Sequence, residues 1–127
     1  MSNLYPVTFQ KVFLVTEDDI DTIMSCALDG GITYWCDKAE VIGEYLGEYA
    51  SEQIARGGSL RLHDSVEDKW YTLDVKTLLE GIKQAAHDCY FHEYNWVDFD
   101  GINSCQIDAD VADVILQLAL FDEVIYG

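Results

Sequence analysis

Basic residues are what this 127-residue sequence most lacks: 7 Lys and Arg stand against 24 Asp and Glu, giving a net charge of −17 and a pI near 4.1. From Gln84 to Gly127 there is no Lys or Arg at all. A surface with that balance repels phosphate backbones and anionic bilayers, which excludes nucleic acid and membrane as direct partners. Long apolar runs are missing too. Nothing approaches the roughly 20 apolar residues of a membrane span, and no charged-then-apolar leader opens the sequence, so a soluble, cytoplasmic protein is expected. The four cysteines, Cys26, Cys36, Cys89 and Cys105, include no C-x-x-C pair, and free thiols are the expectation. Cys26, Cys36, His87 and Cys89 are zinc-type ligands without the close pairing that structural zinc sites use. No P-loop, dinucleotide fingerprint or nucleophile elbow occurs. His92-Glu93 opens a zinc-protease pattern that Trp96 breaks, and the Asp98–Gly101 stretch fails as an EF-hand because Trp96 and Ile107 fall where its acids belong. No catalytic residue, metal or cofactor is assigned, and the expectation is a protein that is not an enzyme.

Half of the residues are hydrophobic and 13% are aromatic, enough apolar surface for one core and one domain over 1–127. Tyr5 to Val15 alternates β-branched and aromatic residues like an opening strand. Thr16 with Asp19 reads as a helix start, Ile20, Ile23, Met24 and Ala27 as its buried face, and Gly30-Gly31 as its end. Asp37 with Glu40 looks like the start of a second and longest helix reaching Arg56, with Ile42, Tyr45, Leu46 and Tyr49 inward. Leu60 and Leu62, a turn over Asp64–Asp68, and Trp70–Leu73 predict a hairpin. Asp74 predicts a helix over 75–86, with Leu73 and Leu78 as a hydrophobic staple, and Asp108 a last helix burying Val111, Val114, Ile115 and Leu118. Val124 to Tyr126 is expected to finish as a strand. The expected fold class is α+β, about four helices on a small, mainly antiparallel sheet.

The charge is unevenly placed. Residues 17–52 hold ten acids and one base, residues 53–83 hold five of each, and residues 84–127 hold nine acids. Within the first block Glu40, Glu44, Glu48 and Glu52 recur at a spacing of four. On a helix they would wind into a stripe about 18 Å long, and each i, i+4 pair of like charges costs a few tenths of a kcal/mol. One reading is a solvated helix face. The other is a row of carboxylates imitating phosphates, which follow one another every 3.4 Å or so along a DNA strand. A single stripe is sparser than that and would need Asp18, Asp19 and Asp21 beside it. These acids also have a structural role, complementing a helix N-terminus. Gly43 and Gly47 on the same helix would admit a close neighbour. A competing site joins Arg56, Arg61, His63 and Lys69 to the aromatic run Tyr90, Phe91, Tyr94, Trp96 and Phe99, with Trp96 stacking on a base and the cations holding its phosphate.

The run Asp29-Gly-Gly-Ile-Thr-Tyr-Trp-Cys36, then Gly47-Glu-Tyr-Ala-Ser-Glu-Gln-Ile54, Arg56-Gly-Gly58 and Leu62-His-Asp64, resembles a family of short acidic proteins from phages and prophages of gut bacteria. The ending, Ala112-Asp113 through Ala119-Leu-Phe121 to Val124-Ile-Tyr-Gly127, resembles it as well. The resemblance covers most of the chain and implies no functional residues. It implies a context, in which small accessory phage proteins antagonise host defence, some by mimicking DNA as anti-CRISPR and anti-restriction proteins do. The expected function is therefore a phage inhibitor whose acidic face occupies the nucleic-acid channel of a host defence protein. The alternatives are a sponge for a small signalling nucleotide and a structural or assembly protein of the phage. The aromatic content makes a homodimer compatible with all three.

Overall fold

The computed structural model describes residues 3–7, 12–87, 96–97 and 101–127. Helix α1 spans Glu17–Cys26. Its start is a reciprocal cap: the Asp19 amide donates to Thr16 Oγ1 at 3.1 Å and the Thr16 amide to Asp19 Oδ2 at 2.9 Å, satisfying two otherwise orphaned donors. Ile20, Ile23, Met24 and Ala27 are buried as their spacing predicts, and one wider turn, Ala27–Gly31, ends the helix.

The next segment is where the structure departs from the sequence reading. Residues Cys36–Ile42 form a strand, β1, and no long helix runs from Asp37 to Arg56. A helix there would have carried two interior glycines, at up to about 1 kcal/mol each, and three repulsive glutamate pairs. The strand avoids both. It pairs Glu40 opposite Arg61 on β2 (Ser59–Asp64), and Gly43 turns the chain out of it at φ +80°, a conformation that glycine adopts without penalty. Residues 43–49 form an ordered loop and Ala50–Glu52 a short 3₁₀ turn. Ile42, Tyr45, Leu46 and Tyr49, expected inside, are 42%, 61%, 48% and 63% exposed.

The predicted hairpin is present: β2 pairs antiparallel with β3 (Lys69–Leu73), giving a three-stranded sheet in the order β1-β2-β3. Leu60, Leu62 and Leu73 are buried on one face. Asp74 then caps α2 (Val75–His87), accepting from the Thr77 amide at 2.8 Å, and Leu73 and Leu78 are both fully buried. Helix α3 (Ala109–Phe121) starts at Asp108, which accepts from the Val111 amide at 2.9 Å. It is the most buried helix, with Val111, Ala112, Ile115, Leu116 and Leu118 inside and Val114 packed at the edge. Gly81 lets α2 lie against it, since a Cβ at that position would stand 2.6 Å from the Ile115 carbonyl oxygen and 2.7 Å from Ala119 Cβ. The fold is thus α+β, with three α-helices among the described residues rather than about four, on an all-antiparallel sheet.

Two terminal expectations are corrected. Among the described residues of 5–15 there is no strand, only an isolated bridge from Leu14 to Gly101. Residues 124–126 are not a strand either; a side chain holds them in its place. Gln117, fully buried in α3, accepts from the amides of Ile125 and Tyr126, both at 2.9 Å, and donates to the Tyr126 carbonyl at 3.1 Å. It also donates to Asp113 at 2.9 Å. Asp113 accepts in addition from Tyr34 Oη at 2.5 Å and Trp35 Nε1 at 2.8 Å. The Tyr126 ring stacks on buried Trp35, and its hydroxyl donates to Asp64 at 2.7 Å. Burial, followed by the neighbouring Asp113, pushes the Tyr34 phenol up to about 12. The hydrogen bond to Asp64, followed by burial, does the same for Tyr126.

Candidate functional site

The acidic residues do not form one helical stripe, but the fold does gather part of the set. Glu17 and Asp18 lie exposed on the first turn of α1 with Asp21 half-buried behind them, and the turn at 50–52 packs against that helix. Arg56 ties the two elements, its guanidinium 3.7 Å from Asp21 and 3.2 Å from Glu52. Burial raises the Asp21 carboxyl above its ordinary value; Arg56 opposes that, while Glu52, Asp18 and Glu17 add to it. Asp19 is buried and fully used in the cap. Glu40 lies apart on β1, in an ion pair with Arg61 at 2.9 Å.

Glu44 and Glu48 are carried by the loop that follows β1, and two buried or half-buried side chains fix its shape. The Gln53 amide, 1% exposed, accepts from the Leu46 amide at 2.9 Å and donates to the Glu44 carbonyl at 3.0 Å. Glu52 Oε1 accepts from the amides of Glu48 and Tyr49, both at 3.0 Å. The loop therefore displays Tyr45, Leu46 and Tyr49 alongside the exposed Glu44 and Glu48 on a pre-set backbone. Aromatic side chains held this way suit protein contact, because little ordering entropy remains to be lost on binding. The loop was missed in the sequence because its tyrosines and leucine sit at helical spacing. Its one outward sign was the pair of glycines that a helix tolerates poorly.

The competing cation set is dispersed. Arg56 belongs to the acidic surface. Arg61 and His63 share the open face of the sheet with Trp70, which is 41% exposed; the guanidinium sits 4.3 Å and the imidazole 4.8 Å from its ring centre, and Lys38 Nζ is 6.0 Å away. Lys69 is the register partner of Asp64, one residue on from His63 and so on the other face. Trp96, proposed to stack on a base, is fully buried; the remaining aromatics of its run, Tyr90, Phe91, Tyr94 and Phe99, lie outside the described residues.

His63 is held between two carboxylates, Nδ1 2.6 Å from Asp37 and Nε2 2.8 Å from Asp68. Asp37 first and Asp68 second raise its pKa, and the same contact holds Asp37 below the usual carboxylate value. With both ring nitrogens engaged by carboxylates, the imidazolium is a clasp between β1 and the β2–β3 turn. Neither nitrogen is left to act as a base on a substrate.

Among the described residues no group of three or more His, Cys, Asp or Glu side chains is arranged to hold a metal. Cys26, Cys36 and Cys105 are free thiols, and burial raises the pKa of Cys26 and Cys36, which keeps them as thiols rather than metal-binding thiolates. Cys89, the Asp98–Asp100 part of the calcium-like stretch and His92-Glu93 lie outside the described residues. No helix is long and apolar enough to cross a membrane among the described residues. Comparison with protein-family models, with curated proteins and with solved structures finds no match to this chain.

Proposed function

We propose that this is a non-enzymatic inhibitor of phage origin that occupies the basic, nucleic-acid-binding surface of a host defence protein in the bacterial cytoplasm. The observation that carries the reading is the meeting of two acidic segments distant in sequence. The 50–52 turn packs on α1, so Glu52 meets Asp21 beside Glu17 and Asp18, and the same Glu52 carboxylate holds the backbone of the loop that carries Glu44 and Glu48; among the described residues Arg56 is the one base in ion-pair contact with these acids. Crowding like charges costs stability, and a complementary basic partner relieves that cost while steering association. For the nucleotide-sponge alternative, Trp96 is buried, while Tyr90, Phe91, Tyr94 and Phe99 lie outside the described residues.

The test uses the tagged protein and a nuclease-treated bacterial lysate, with bound material eluted in salt steps and identified by mass spectrometry. A nucleic-acid-binding protein released as salt rises is the expected result. Glu44→Lys/Glu48→Lys changes two exposed side chains whose carboxylates make no hydrogen bond or ion pair among the described residues; it should weaken capture at least about tenfold while the unfolding midpoint stays put. Capture unchanged by the double reversal would overturn the proposal.

A further inference from the structure

The sheet ends on one side in β1, and among the described residues no strand pairs with its outer edge. An open edge presents a row of unpaired amides and carbonyls, which proteins normally cover, charge or pair. We infer that two copies of this chain associate through this edge, their β1 strands antiparallel about a two-fold axis at Ala39.

The side chains of β1 select that register. Directly opposite residues of an antiparallel pair share a face, so a symmetric pairing of identical strands places one residue on the axis. With Ala39 there, Lys38 of each copy stands opposite Glu40 of the other, two cross-strand pairs of opposite charge on the outer face of the sheet. With Glu40 on the axis the two carboxylates would confront each other, and with Lys38 the two ammonium groups. Ala39 itself is exposed and small, so the axis is sterically open.

The rest of the surface agrees with that geometry. At the start of β1 a depression of about 120 Å³ is lined by Leu28, Ile32, Thr33 and the Cys36–Ala39 stretch. At its end stand exposed Ile42 and the ordered loop with Tyr45 and Leu46. Antiparallel pairing carries the apolar end of each strand to the depression of the other, so the two unsatisfied features fall together twice. Electrostatics permits it, because the strands carry Lys38, Arg61 and Lys69 against Asp37, Glu40 and Asp64 and so balance their charge. Two chains of −17 repel, yet Lys38, Arg61 and Lys69, three of the six Lys and Arg in the described residues, lie on this sheet with the His63 clasp.

Sedimentation equilibrium of the full chain tests the inference. A concentration-dependent dimer is expected, and Lys38→Glu should weaken it about tenfold or more, since the change acts twice across the axis. Ala39→Cys places two thiols on the axis and should give a disulfide-linked dimer under mild oxidation. Thr72→Cys, exposed on the opposite edge strand, should link no faster than the wild type. A monomer at all concentrations would overturn the inference, and so would a dimer that Ala39→Cys fails to trap. Either result leaves the acidic-surface proposal standing, because that depends on Glu44 and Glu48 and on a different partner.

Discussion

Replacing Gln53 by Met isolates what holds the 43–49 loop. The two side chains are similar in volume, so the buried slot stays filled, but the thioether can neither accept from the Leu46 amide nor donate to the Glu44 carbonyl. Each hydrogen bond contributes about 1 kcal/mol net, and the freed backbone groups can turn to water, so the loss should be about 2 kcal/mol and confined to the loop. By the equivalence of 1.4 kcal/mol to a factor of ten, exchange of the Leu46 amide should accelerate roughly 30-fold. The amides of Glu48 and Tyr49, which donate to Glu52 instead, provide the internal control. Hydrogen–deuterium exchange read by NMR measures all three in one sample. If the Leu46 amide exchanges at the wild-type rate, Gln53 does not organise the loop. If Leu46, Glu48 and Tyr49 all accelerate together with core amides, the substitution has weakened the whole domain and the local account is wrong.

Further expectations concern the His63 clasp and the buried Asp113 assembly. The His63 pKa is raised in the folded state, so the clasp stabilises fully below the ordinary value of 6.5 and its contribution is lost as pH rises through the raised one. The Asp37 pKa is lowered, so its contribution holds above 3.8 and is lost as pH falls through the lowered value. Stability attributable to the clasp is therefore greatest between those limits. An NMR titration of the His63 ring should place its midpoint above 6.5, and a midpoint at or below that value would refute the arrangement. Asp113→Ala strips acceptors from Tyr34, Trp35 and Gln117 at once and should cost about 3 kcal/mol in urea unfolding, with Asp113→Asn costing less. In the alanine variant the Tyr34 phenol should titrate below about 12; absorbance against pH reports it.

What could be read from the sequence follows the locality of each signal. The caps at Thr16, Asp74 and Asp108 and the hairpin over 60–73 were legible because each depends on residues within a few positions of one another. The 37–56 segment was not. Asp37 and Glu40 have the spacing of a helix cap, yet in the folded chain they answer to His63 and Arg61, more than twenty positions away. Pairing with β2 overrode a local preference that Gly43 and Gly47 had already weakened. The acidic surface was half legible. Spacing singled out Glu40, Glu44, Glu48 and Glu52, and Asp18, Asp19 and Asp21 were needed beside them, but only the packing of the 50–52 turn on α1 brings Glu52 to Asp21. Trp70 was assigned to the hairpin but not to a site, because its contact with Arg61 and His63 arises from strand register.

The attachment of the 124–126 segment by Gln117 has a bearing on the order in which this chain acquires its structure. Translation supplies the caps of α1, the hairpin and α2 early, and each can form from its own neighbourhood. Trp35 and Asp64 cannot be completed then, because the ring that covers one and the hydroxyl that binds the other belong to Tyr126, made 62 residues after Asp64. Until that residue arrives, the indole face and a buried carboxylate wait in water. Closure of the domain is thus a late event set by a long-range contact, and a nascent chain stopped before residue 124 should hold a hairpin without a sealed core.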